Sequence, residues 1–167
     1  MNSEKFPAYY RTYIDRIPEE RNSFDLLAIG LKETIKSLAM VSEDKAGEAY
    51  AEGKWSIKEV LQHMIDTERI FAFRALAFAR GEKNEILGYD HNTYAENSKA
   101  NLRSLKSLLE ELNNLRGVTI DLFRSFTSDM LQKEGNANGQ NMSVEQIQYI
   151  IIGHELHHLR VIEQKYL

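Results

Sequence analysis

Residues Ile150 to Gln164 read I-I-I-G-H-E-L-H-H-L-R-V-I-E-Q and hold three of the chain's five histidines. Ile147, Ile150, Ile151, Val161 and Ile162 recur at three-to-four spacing, the signature of an amphipathic helix. Ser143, with Gln146 three residues on, reads as its capping box. Such a helix must bury its apolar stripe against partners, which the rest of the chain has to supply.

Three more follow. Leu27, Leu31, Ile35 and Leu38 place one over about Glu19–Val41. S-I-K-E at Ser56–Glu59 opens a second with a capping box. Val60, Met64, Phe71, Ala75 and Phe78 continue it to Gly81, a C-terminal glycine. A third starts near Ser98 and carries Leu102, Leu105, Leu108, Leu109, Leu112, Leu115, Ile120, Leu122 and Phe123, with a kink expected at Gly117. Only Pro7 and Pro18 break the backbone pattern, and both precede these helices. Between helices two and three, E-K-N-E-I-L-G-Y-D-H-N-T-Y-A-E-N is a long crossover. Between three and four, G-N-A-N-G-Q-N-M (135–142) reads as a loop. The expectation is an all-α four-helix bundle whose long middle connection departs from simple up-down order. One domain spans 1–167, with 1–18 as an arm or short extra helix.

At 167 residues the chain is long enough to bury a real core. Its 43% apolar and 28% charged content is that of a folded globular protein. The net charge of −4 is scattered, with no basic stripe, which argues against a nucleic-acid partner. No apolar run approaches a membrane span and the N-terminus lacks a secretory signal. The absence of cysteine excludes disulfides, thiolate ligands and a cysteine nucleophile, and fits a reducing, cytoplasmic setting.

His154 and His158 are four residues apart, about 40° of rotation and about 6 Å of rise on a helix. Their rings therefore face one way, as two ligands of one ion must. His154 with His157 is a second feasible pair, and spacing favours the first only slightly. The plain alternative is helix histidines bonded to neighbours or solvent. His63, two turns into the second helix, is the third candidate, since facing helices of a bundle approach to about 8–10 Å. Three neutral imidazoles on a divalent ion leave a position open, the catalytic pattern; a closed sphere is the structural one.

The runs K-W-S-I-K-E-V-L-Q-H-M-I-D-T-E-R-I-F-A-F-R-A-L-A-F-A-R-G-E, G-Y-D-H-N-T-Y and Y-I-I-I-G-H-E-L-H-H-L-R-V-I resemble the DinB/YfiT-like superfamily of bacterial helical metalloproteins, over about Leu26–Leu167. The resemblance implies a four-helix bundle with a long crossover and a metal triad of His63, His154 and His158, leaving His157 aside. It also implies a divalent cation, zinc or nickel first. The characterised relatives it brings in are metal-dependent transferases of low-molecular-weight thiols and a mycothiol-dependent isomerase, beside members described as metal-dependent hydrolases.

Around that triad the candidate roles divide. Asp66 fits a hydrogen bond to a ligand imidazole, or an ion pair with Arg69 or Lys58. Glu59 shares the side of His63 but is explained by capping. Glu68 reads as a surface or inter-helix charge. In the crossover, Asp90 and His91 are candidate acid or base groups, and Tyr89 and Tyr94 candidate substrate-binding residues or apolar plugs, with Asp90 alternatively a helix cap. Arg74 and Arg80 suit an anionic substrate or a solvated helix face. Trp55 reads as a staple, Phe71, Phe73 and Phe78 as core or interface, and Glu155 and Arg160 as solvated or dimer-facing. Wide apolar faces suggest a homodimer. The function expected is activation of water or a low-molecular-weight thiol against a small electrophile, as hydrolase or thiol S-transferase. The rival is a non-catalytic, metal-stabilised helical module that binds a ligand or protein under stress.

Overall fold

Four long helices carry the architecture: α2 (Ser23–Leu38), α4 (Ile57–Ala79), α6 (Leu105–Arg124) and α8 (Val144–Lys165). The computed structural model of the protein describes residues 2–18 and 21–167. The expected start of the first helix at Glu19 lies outside the described residues, and α2 opens at Ser23 under an Asn22 cap. Short elements fill the connections: α1 (Arg11–Ile14), α3 (Glu43–Gly47), α5 (His91–Ser98) and α7 (Ser128–Leu131).

The local signals behave as chemistry dictates at α4 and α8. The Ser56 hydroxyl accepts from the Glu59 amide while the Glu59 carboxylate accepts from the Ser56 amide. Ser143 and Gln146 repeat the arrangement. Each box satisfies amide donors that a helix start leaves without partners.

Helix α4 packs on α8 and α6, and α2 packs on the same two, so α2 lies diagonal to α4 and α6 diagonal to α8. Chain neighbours are thus not bundle neighbours at two of the three steps, and the bundle is not simply up-down. Two apolar clusters fill it. One gathers Leu27, Phe71, Phe78, Phe123, Ile147 and Ile151. The other gathers Leu38, Leu61, Ile65, Leu108, Leu112 and Ile162. Between them, at mid-height on every helix, lies a buried polar layer of Thr34, Glu68, Arg116 and Glu155. Arg116 donates from Nε and Nη2 to both oxygens of Glu68 (3.0 and 2.8 Å) and from Nη1 to Glu155 Oε2 (2.7 Å) and the Leu27 carbonyl (2.6 Å). The Thr34 hydroxyl donates to Glu155 Oε1 at 3.0 Å. Burial opposes the charge on Arg116, but the two carboxylates outweigh it and hold its pKa above the ordinary arginine range. Burial pushes the Glu155 carboxyl up, with Arg116 opposing.

Several expectations are corrected. Glu155 is not solvated or dimer-facing: it faces Arg116 inside the bundle, while Arg160 is exposed. Glu68 is an inter-helix charge and not a surface one. Of the three aromatics read as core or interface, Phe71 and Phe78 are core and Phe73 is exposed, which leaves it the interface alternative. The third long helix starts at Leu105, capped by Ser104, and runs through Gly117; Ser98 instead ends α5, and Leu102 stands in solvent.

The loop expected at 135–142 is largely a hairpin. Strands β1 (Glu134–Ala137) and β2 (Gln140–Ser143) pair antiparallel, with Asn138 and Gly139 at the tip. Both tip residues have positive φ, 53° and 71°, the backbone of a primed two-residue turn that Asn-Gly adopts at least cost. The Ile86 amide donates to the Asn136 carbonyl and the Asn138 amide to the Ile86 carbonyl. The hairpin thereby ties the crossover down across the bundle. Among the described residues no helix is long and apolar enough to cross a membrane.

Candidate metal centre

Adjacent packing of α4 and α8 brings His63 against His154 and His158. The Nε2 of His154 lies 3.0 Å from the Nε2 of His63 and 3.0 Å from that of His158. One donor nitrogen from each ring falls within 4.8 Å of the others. Nitrogens sharing one ion at about 2.0–2.1 Å stand about 2.9–3.4 Å apart, so the donor set fits a single divalent cation. Burial keeps all three rings neutral, with lone pairs free to coordinate. It lowers His63 to about 4, with His91 and His157 adding to the effect. It also carries His154 and His158 well below the usual imidazole range, helped by the neighbouring rings. Among the described residues no carboxylate and no further imidazole joins the cluster, so the donor set is three imidazole nitrogens.

His157 stays outside the trio. Its Nδ1 is buried without a partner among the described residues, and its ring meets Tyr13 edge-on at 5.1 Å. Tyr13 also meets His154, at 5.5 Å. The N-terminal arm reaches this position because Gly153 lets it: a Cβ there would sit 2.6 Å from the Tyr13 carbonyl oxygen.

A cavity of about 360 Å³ opens on the trio. Tyr9, Tyr10 and Tyr13 of the arm, Trp55 before α4, and Thr67, Phe71 and Arg74 along α4 wall it. Gly88, Tyr89 and His91 of the crossover and Asn138 of the hairpin tip close it. Trp55 packs at 4.9 Å from the His63 ring and 5.9 Å from His91, which is more than a staple on the helix start.

The residues singled out in the sequence fall differently around this cavity. Asp66 does not touch a ligand ring; its carboxylate accepts from Gln62 at 2.9 Å and lies 3.6 Å from Arg69. Burial raises it, with Gln62 and Arg69 opposing. The group beside the His63 Nδ1 is Thr67 Oγ1, at 3.5 Å, which also pairs with the Tyr89 hydroxyl at 2.7 Å. Thr67 went unnoticed in the sequence, although its i+4 offset from His63 was the available signal. Glu59 is held in its capping box. Asp90 caps α5, accepting from the amides of Asn92 and Thr93 and from the Thr93 hydroxyl; the Thr93 bonds and the Asn92 amide hold it below the usual carboxylate range. Asp90 does not line the cavity, whereas its neighbour His91 does, 6.0 Å from the His63 ring. Tyr89 lines it, and burial raises its pKa against the Thr67 bond. Tyr94 packs behind Tyr89, the rings tilted with centroids 4.9 Å apart, and is half exposed. Arg74 is not on a solvated face: it is 2% exposed, in the cavity wall. Arg80 is exposed.

The chain is similar to several solved structures. YfiT from Bacillus subtilis, described as a probable metal-dependent hydrolase with an unusual four-helix bundle topology, matches with a TM-score of 0.77 at 16% identity, over 89% of this chain and 90% of that one. A mycothiol-dependent maleylpyruvate isomerase matches with a TM-score of 0.70, also at 16% identity, over 89% of this chain but only 62% of the other. At that identity the likeness is one of fold. No curated protein matches the sequence. The DinB superfamily model matches residues 26–162, which take in all four long helices but for three residues at each outer end. A chain matched over that length, with the bundle, the crossover and the three converging imidazoles in place, belongs to the DinB superfamily.

Proposed function

We propose that the protein is a metal-dependent enzyme in which His63, His154 and His158 hold one divalent cation, zinc or nickel, at the floor of the aromatic cavity. The observation that carries this reading is the convergence of three neutral imidazole nitrogens, His154 buried and His63 and His158 partly buried, with no fourth protein ligand among the described residues. A cation bound there supplies Lewis acidity, lowering the pKa of a water or thiol beside it toward neutrality. Neutral imidazoles leave its charge undiminished, as carboxylate ligands would not.

The chain's own groups do the rest. The crossover and the arm exclude bulk water. Thr67 orients His63 through Nδ1 and the crossover through Tyr89. His91, facing the cavity and free of a capping duty, is the better placed of the two proton-carrier candidates. The substrate is a small electrophile, and the reaction is hydrolysis or transfer of a low-molecular-weight thiol. The names of the two similar folds support both directions. A cytoplasmic homodimer completes the reading, supported by the missing cysteines and by exposed Phe73 and Leu76 on one helix.

His158→Ala tests it. Elemental analysis of untagged protein incubated with zinc or nickel should give about one ion per chain for the parent and close to none for the variant. Helical circular dichroism should be retained and turnover in a screen of thiols against electrophiles lost. A parent that takes up neither metal, or a variant that binds as well as the parent, refutes the reading.

A further inference from the structure

Arg74 is the unexplained charge of this cavity. Among the described residues it is the sole lysine or arginine in the wall, and no aspartate or glutamate lines the cavity with it. Every other buried arginine or lysine has a carboxylate: Arg116 holds Glu68 and Glu155, and Lys58 holds Glu43. Arg74 has none among the described residues. Among the described residues its Nε is buried without any acceptor; its Nη2 reaches the Leu87 carbonyl at a long 3.4 Å, and its other partner is the neutral Tyr10 hydroxyl. The guanidinium lies 5.1 Å from the centre of the Phe71 ring, with the Tyr10 hydroxyl beside it. Burying a charge without an ionic partner is unfavourable, and chains seldom keep one unless a partner arrives.

The helix register connects this group to the trio. His63, Thr67, Ile70 and Arg74 follow i, i+4, i+7, i+11, so Arg74 returns to within about 20° of His63 after three turns. The two Cα atoms are about 16 Å apart along the axis, and the longer arginine side chain leans back toward the N-terminus of α4, toward His63. A ligand gripped by Arg74 therefore extends along α4 toward the imidazoles.

We infer that Arg74 is an anion-holding subsite and that the molecules this cavity accepts are small carboxylic acids with an apolar or aromatic body. A carboxylate matches the planar fork of one guanidinium with one negative charge. A phosphoryl group carries more charge and usually recruits further cations or a free helix N-terminus; among the described residues the wall holds no second lysine or arginine, and its one helix start, at His91, is already capped by Asp90. The cavity's 360 Å³ is near the lower end of small-molecule sites, which run from about 300 to 1,000 Å³. The tyrosines and Trp55 give the body flat apolar surfaces. This assignment rests on the proposed function for where the reacting atom lies, but not for the binding of the acid.

The test uses metal-free, full-length protein. Calorimetric titrations with 3-phenylpropionate and pentanoate are compared with their primary amides and with phenylphosphonate. The parent should prefer each acid over its amide by about 10- to 100-fold, the range of a hydrogen bond to a charged group. Arg74→Gln should bind acid and amide alike, at the parent's amide level, and should still take up zinc as the parent does. Arg74→Lys keeps the charge but loses the planar fork, and should lose at least several-fold of the preference. It decides the matter if the glutamine variant fails to fold. The inference is overturned if the parent shows no acid preference, if the folded variants keep it in full, or if phenylphosphonate outcompetes the acids through Arg74. A failure of the proposed metal site would look different: no zinc uptake by the parent, with the acid preference intact.

Discussion

Replacing Arg116 by methionine tests how the bundle tolerates charge at its mid-height. The guanidinium is 1% exposed and donates to two carboxylates and one carbonyl. Methionine fills much of the stem's volume but strands Glu68 and Glu155 in the interior, keeping only the Thr34 hydroxyl on Glu155. Removing one partner of a buried ion pair costs about 3–5 kcal/mol, mainly through the uncompensated charge left behind. At this chain length each kcal/mol moves the melting temperature by about 2–4 °C, so R116M should melt about 6–20 °C below the parent near neutral pH. The triple variant R116M/E68Q/E155Q should recover most of that loss, because the stranded groups are then neutral. Thermal unfolding followed by circular dichroism at pH 7 is the assay. A single variant that melts within about 3 °C of the parent would refute the reasoning. So would a triple variant no better than the single.

Other expectations are narrower. Gly153→Ala puts a methyl 2.6 Å from the Tyr13 carbonyl oxygen. Helix propensity gains up to about 1 kcal/mol in return, so the melting temperature should hold while limited trypsin digestion cuts faster at Arg11 and Arg16 of the displaced arm. Gly139→Val, at φ 71°, should cost about 1–2 kcal/mol in chemical denaturation, the penalty of a left-handed backbone for a residue with a Cβ. In metal-free protein, burial depresses His63 from 6.5 to about 4 and lowers His154 and His158 as well. The unfolded chain then binds protons first, so stability is complete above about pH 6.5 and falls as pH drops through 4. Urea midpoints that stay level over that range would contradict the burial of the three rings.

Where a short stretch of residues decided the outcome, the sequence sufficed. The S-I-K-E and S-V-E-Q caps, the three-four apolar spacing and the H-x3-H pair of α8 act within one or two turns. Each determines a helix start, a buried stripe or a pair of rings on one helix face without help from distant residues. Asn138-Gly139 is equally local, because the pair is the strongest short hairpin signal, but its strands Glu134–Ala137 and Gln140–Ser143 are short and polar and carry no alternating apolar pattern. What only the tertiary structure decided depends on which helix lies beside which. Setting α2 diagonal to α4 puts α8 against His63, and the same placement buries Glu155 on Arg116 and leaves Arg74 facing an aromatic cavity instead of solvent. A charged side chain looks the same in a sequence whether water, a carboxylate or an empty pocket surrounds it. The difference lies in desolvation, and desolvation is a property of neighbours that the chain assembles from its far ends.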